Sequence, residues 1–164
     1  MMRKYTYSPA LYGILIALAM ILSYLESLVP LSFAIPGVKL GLANIVTVFV
    51  LYKIGARSAF LIAAVRVILI SILFGNIMSF AFSAAGMLLS LAVMIPMKKS
   101  GKFSVTGVSV SGGVAHNAGQ ILAAAVILGT KEIIYYLPVL CISGVLAGIC
   151  IGLLSAQLIE RVKI

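Results

Sequence analysis

Residues 58–74 read Ser-Ala-Phe-Leu-Ile-Ala-Ala-Val-Arg-Val-Ile-Leu-Ile-Ser-Ile-Leu-Phe, an apolar run with one permanent cation, Arg66, at its centre. A bilayer core is about 30 Å thick and is crossed by a helix of roughly 20 apolar residues, so this run is of spanning length. A cation at that depth costs at least a few kcal/mol unless it faces a cavity or a counter-ion, which makes it a functional site by default. The chain has no aspartate to neutralise it, and its 3 acidic residues are Glu26, Glu132 and Glu160.

The rest of the chain has the same character. Hydrophobic residues are 63% of 164, charged residues only 9%, and the mean hydropathy is +1.27. These values define an integral membrane protein and exclude a soluble domain. One all-α domain over residues 1–164 is predicted, with six transmembrane helices. The first covers about 8–29 and stops at Pro30; its apolar run is too long for a signal peptide and reads as a retained helix. The second is short, about 39–54, and ends at Gly55. The third covers 56–74, and Gly75-Asn76 supplies a turn into the fourth, 77–97. A polar stretch leads to a fifth over 105–129 and a sixth over 133–158. Gly107, Gly112, Gly113 and Gly119, with serines at 104, 109 and 111, leave open a break in the fifth.

The cations set the topology. With an even number of crossings, Arg3, Lys4, Lys53, Arg57, Lys98, Lys99, Lys102, Arg161 and Lys163 share one side, while Lys39 and Lys131 fall on the other. The positive-inside rule then places both termini in the cytoplasm. The same bias accounts for most of the +9 net charge. An anionic lipid leaflet is its natural partner, and nucleic acid is not needed to explain it.

Polar residues collect in the outer half. Arg66 lies near the midplane, with His116, Asn117 and Gln120 in the middle to outer half of the fifth segment. Asn44 and Glu26 fall about one turn below the outer ends of their helices, Asn76 at an outer turn, and Ser79 and Ser83 stack at i,i+4 on the fourth. Such side chains are expected to line a shared cavity rather than face lipid. Arg66, His116, Asn117 and Gln120 would form its floor, Asn44 and Ser83 its wall, and Lys39 an attracting charge at its mouth. Arg66, Lys39 and Lys131 outnumber Glu26, so an anionic or carbonyl-rich ligand is expected. Structural alternatives stand beside each: a buried Glu26–Arg66 ion pair, and interhelical hydrogen bonding by His116, Asn44, Ser79 or Ser83.

Small residues mark packing faces. Gly144, Gly148 and Gly152 repeat at four-residue spacing in the sixth segment, which points to packing within the monomer. Gly13 and Ala17 do the same in the first, where the stripe fits either internal packing or docking of another membrane subunit. Catalytic motifs are missing: there is no aspartate-rich magnesium site, and Gly101-Lys102 is followed by Phe103 and makes no P-loop. One histidine and two scattered cysteines make no metal site, so neither a cofactor nor enzymatic activity is expected.

Pro36-Gly37-Val38-Lys39-Leu40-Gly41-Leu42-Ala43-Asn44-Ile45, Arg66, Phe74-Gly75-Asn76 and Gly112-Gly113-Val114-Ala115-His116-Asn117-Ala118-Gly119-Gln120 together resemble the bacterial family called heptaprenyl diphosphate synthase component I, or Gx transporter family. The likeness covers nearly the whole chain and implies a bacterial cytoplasmic membrane protein. It also implies a role as a subunit of a prenyl chain-elongating enzyme, with isoprenoid- or quinone-related ligands. The architecture more distantly resembles the S components of energy-coupling factor transporters. That likeness implies a small-molecule binder working with a transmembrane coupling protein and two ATPases, for which Gly13 and Ala17 are candidate contacts. A non-catalytic accessory subunit of a heptaprenyl diphosphate synthase is the alternative.

Overall fold

The structure is a computed structural model that describes residues 8–28 and 40–163. Within them the chain forms six α-helices and one 3-10 turn: α1 (Pro9–Leu28), α2 (Asn44–Lys53), α3 (Ala56–Phe74), α4 (Ile77–Ser100), α5 (Val105–Leu128), the turn Glu132–Tyr136, and α6 (Leu137–Arg161). Five spans are long and apolar enough to cross a membrane, the last of them running on from the 3-10 turn into α6. Among the described residues the expected six helices are present, five of spanning length and α2 about half that length. At 1.5 Å per residue, the 10 residues of α2 cover about 15 Å, half a bilayer core.

Two helix ends depart from the sequence reading for local reasons, and the open question of a break in α5 is answered. α2 starts at Asn44 rather than at 39 because Gly41, at φ +72, turns the chain just before it; Lys39 lies outside the described residues. α4 continues past Met97, through Pro96, to a left-handed Gly101 cap. Lys98 is what allows this: its Nζ donates to the Leu51 carbonyl and lies 5.3 Å from the Tyr52 ring centroid, so the charge ends on a carbonyl in the last turn of α2 instead of in lipid. α5 is unbroken, capped by Ser104 Oγ on the Gly107 N–H at 3.1 Å and closed by left-handed Gly129.

The glycines of α5 serve contact, not a break. A Cβ at Gly113 would stand 2.6 Å from the Gly144 carbonyl oxygen, and one at Gly148 or Gly152 would stand 2.6 Å from the Cα of Val110 or Thr106. α5 and α6 thus touch backbone to backbone in antiparallel register, as small-residue seams permit. α4 meets the other face of α5 the same way, with Gly119 2.8 Å from the Ala85 carbonyl in the same sense. These three helices form a tight slab. α2 is buried throughout its middle, Val46 to Leu51, and runs parallel to α6, with Ser155 Oγ donating to the Ile45 carbonyl at 3.5 Å.

α1 is the peripheral element, burying only Leu15 and Ala19. It runs parallel to α3, joined by Tyr12 Oη and Ser58 Oγ at 2.7 Å and by Arg66 Nη1 donating to Ser23 Oγ at 3.4 Å. Gly13 and Ala17 are exposed, and nothing lies within 4 Å of a Cβ built on Gly13, so this stripe is unused inside the fold. The antiparallel order brings the start of α1 and the end of α6 to one end of the bundle. Lys53, Arg57, Lys98, Lys99, Lys102, Arg161 and Lys163 gather there; Arg3 and Lys4 lie outside the described residues.

The two stripes should respond oppositely to a methyl group. Gly148→Ala must move the α5 backbone and is expected to cost about 1–3 kcal/mol, whereas Gly13→Ala should leave stability unchanged or raised. Thermal midpoints of the two purified variants against wild type measure this.

Candidate functional site

The head of α2 lies deep in the bundle. A Cβ on Gly41 would be 3.1 Å from Ile151 Cδ1, and Ile151 is about 21 Å along α6 from Leu137 at 1.5 Å per residue. Irregular backbone at such depth is tolerated only against protein or a polar cavity, and a cavity is present. It has a volume of about 320 Å³ and is lined by all six helices. α1 contributes Ser23, Glu26 and Ser27, and the turn and helix α2 give Gly41 and Asn44. α3 gives Arg66 and Ser71, α4 gives Ser79, Ser83 and Ser90, and α5 gives Ser109, His116 and Asn117. Gly144, Ala147, Gly148 and Ile151 of α6 close the far wall.

Arg66 is half-buried and borders this cavity and a second void of about 10 Å³, which it shares with Asn44, Thr47, Ser90 and His116. Its Nη1 reaches Ser23, while its Nε is buried with no hydrogen-bond partner among the described residues. The Glu26 carboxylate lines the same cavity, and its Oε1 accepts the Gly41 N–H at 2.5 Å. The direct Glu26–Arg66 ion pair considered from the sequence is not formed among the described residues; both charges face the cavity instead.

Of the candidate residues, the structure brings together Glu26, Asn44, Arg66, Ser83, His116 and Asn117. Asn117 is committed to structure as well: its Nδ2 donates to the Leu140 carbonyl at 2.6 Å and to Ser143 Oγ at 3.3 Å, pinning α5 to α6. Gln120 does not line the cavity. Its Cγ lies 2.9 Å from where a Gly86 Cβ would stand, at the contact of α4 and α5. Asn76 is absent from the lining too, because its Oδ1 caps α4 on the Ser79 N–H at 2.8 Å. Lys39 lies outside the described residues. The sequence reading missed Ser23, Ser27, Ser71, Ser90, Ser109 and Gly41. The i,i+4 pair Ser79 and Ser83 continues through Gly86 to Ser90 on one face of α4, and that stripe was the available signal.

A bundle of apolar helices with a charged, hydroxyl-rich cavity at the head of a half-length helix is a multi-pass membrane protein. A family model described as heptaprenyl diphosphate synthase component I matches residues 15–158, and the chain belongs to that family. Neither the curated proteins nor the solved structures include a match to it.

Arg66 is the cation that shares the cavity with the Glu26 carboxylate. Arg66→Met, with a flexible apolar side chain of similar length, leaves that carboxylate uncompensated and should lower the unfolding free energy by roughly 1–3 kcal/mol, read from the thermal midpoint in detergent. An unchanged or raised midpoint would mean that Arg66 is kept for binding and not for stability.

Proposed function

We propose that this is a membrane substrate-binding and transport protein. It takes a small molecule bearing an anionic or carbonyl-rich group from the outer side of a bacterial cytoplasmic membrane and moves it inward. The observation that carries the reading is the cavity of about 320 Å³ with Arg66 in its wall. That volume is at the small end of ligand pockets, about 300–1,000 Å³, which suits a compact polar molecule rather than a long prenyl chain held whole.

The basic end of the bundle faces the cytoplasm in this reading, as does each terminus, following the positive-inside rule. The Glu26, Gly41 and Ser79 side of the cavity then faces outward. Arg66 holds the ligand's oxygen atoms, His116 and Asn44 complete the polar floor, and Ser83 and its neighbouring hydroxyls adapt to the rest. Gln120 and Asn76 position the helices that carry the wall. The chain acts as a binder and not as an enzyme. Because the sequence offers no ATP-binding motif, uptake against a gradient draws on partner subunits of the coupling-protein and ATPase type. The exposed Gly13 and Ala17 face of α1 is where such a subunit would dock.

One observation favours a second reading. The family description names a synthase component, which fits a non-catalytic membrane subunit that anchors a heptaprenyl diphosphate synthase. Native mass spectrometry of protein purified without added ligand separates the two. A small-molecule adduct retained by wild type and lost in Arg66→Gln is the expected result. A co-purifying soluble prenyl synthase with no adduct on the membrane chain would overturn the transport reading.

A further inference from the structure

The cavity holds a contact that fits poorly with a simple open anion site. Glu26 sits near the end of α1, the least packed helix, where Leu25 and Leu28 are exposed. Its carboxylate reaches across to the Gly41 N–H at the head of α2. That amide is available because Gly41 adopts φ +72 three residues ahead of the helix, where backbone donors have no helical acceptor. The head of a helix also carries a partial positive charge that favours anions. Arg66, whose buried Nε has no partner among the described residues, borders the same cavity. A cation, a backbone donor and a helix head thus line one cavity, and a carboxylate at the end of the least buried helix takes the donor.

We infer that Glu26 is a resident stand-in for the ligand's anionic group, an internal competitor that holds the Gly41 and Arg66 subsite until a carboxylate or similar oxyanion displaces it. This rests on the reading of the cavity as a ligand site. A second anion cannot settle beside Glu26 at this depth without repulsion that a low dielectric leaves almost unscreened. Binding therefore exchanges one carboxylate for another at the Gly41 N–H. The exchange frees the end of α1 from α2, since Glu26 supplies that tie. Ligand capture and release of α1 become one event, with Ser23 and Ser27 sharing the face of α1 that turns away.

The experiment uses the full chain in detergent, in chloride-free buffer, titrated with sodium acetate at constant ionic strength while the thermal midpoint is followed. Glu26→Gln keeps an oxygen able to accept from Gly41 but removes the charge. An internal occupant present nine-tenths of the time weakens apparent affinity about tenfold, so E26Q is expected to respond at about tenfold lower acetate than wild type. The response should vanish when Arg66→Gln is added. Glu26→Ala, monitored for retained helix content, should show the same gain and serves if E26Q is not monodisperse. Equal or weaker acetate response in both Glu26 variants would overturn the inference, because Glu26 would then be a ligand-holding group and not a competitor. An Arg66-dependent adduct on wild type together with acetate-blind Glu26 variants would overturn this inference alone and leave the transport reading standing. Acetate-responsive variants with no adduct on wild type would support the competitor and count against transport.

Discussion

The arrangement depends on a helix that begins in the middle of the bundle. Backbone donors cannot be left in hydrocarbon, where each unsatisfied group costs several kcal/mol, so the turn at Gly41 and the first residues of α2 require polar surroundings. The protein supplies them from α1, α3, α4 and α5. Glu26 accepts from Gly41, Asn44 and Arg66 stand beside it, and serines from four helices complete the lining. The lower end of α2 is handled the same way, with Lys98 donating to the Leu51 carbonyl. A short helix with both ends cared for by neighbours can be buried completely, and Val48, Val50 and Leu51 are at most 1% exposed.

Room for such a helix comes from close packing elsewhere. The glycine seam presses α5 onto α6, and Gly86 and Gly119 press α4 onto α5. Dispersion contacts between backbones substitute for the hydrophobic effect that lipid abolishes. The slab so formed is stiff, whereas α1 buries only two residues and adds three polar ties to its neighbours. Rigidity and looseness are therefore divided between the two walls of one cavity.

Much of the fold was legible in the sequence, because hydropathy and punctuation act locally. α3 runs from Ala56 to Phe74 as read, since Gly55 and Gly75-Asn76 bound it on both sides. The half-length of α2 was not legible. Nothing in a window around residue 40 says how deep Gly41 lies, and its depth is set by Ile151, more than a hundred residues away. The site divided along similar lines. Charges in apolar runs are costly enough to announce themselves, and Arg66 and Glu26 do line the cavity. Serines are not, since a hydroxyl in a membrane helix can bond within its own helix, as Ser111 does to the Gly107 carbonyl. Asn76 and Gln120 lie off the cavity because polar character says nothing of position: one caps a helix, the other sits at the contact of α4 and α5.

The burial of α2 also bears on how the chain assembles. Its head packs on Ile151 and its Ile45 carbonyl accepts from Ser155, partners that belong to α6. During synthesis the second helix is made long before the sixth. Contacts of such long sequence separation close late, so the second helix waits for the sixth before its seat is complete. Until then the face of α2 that packs on Ile151 and Ser155 must be covered by lipid or the insertion machinery, while Glu26 and Lys98, on α1 and α4, already serve the Gly41 amide and the Leu51 carbonyl. The cavity is in this sense the last feature of the protein to form, and its presence reports that α6 has arrived in register.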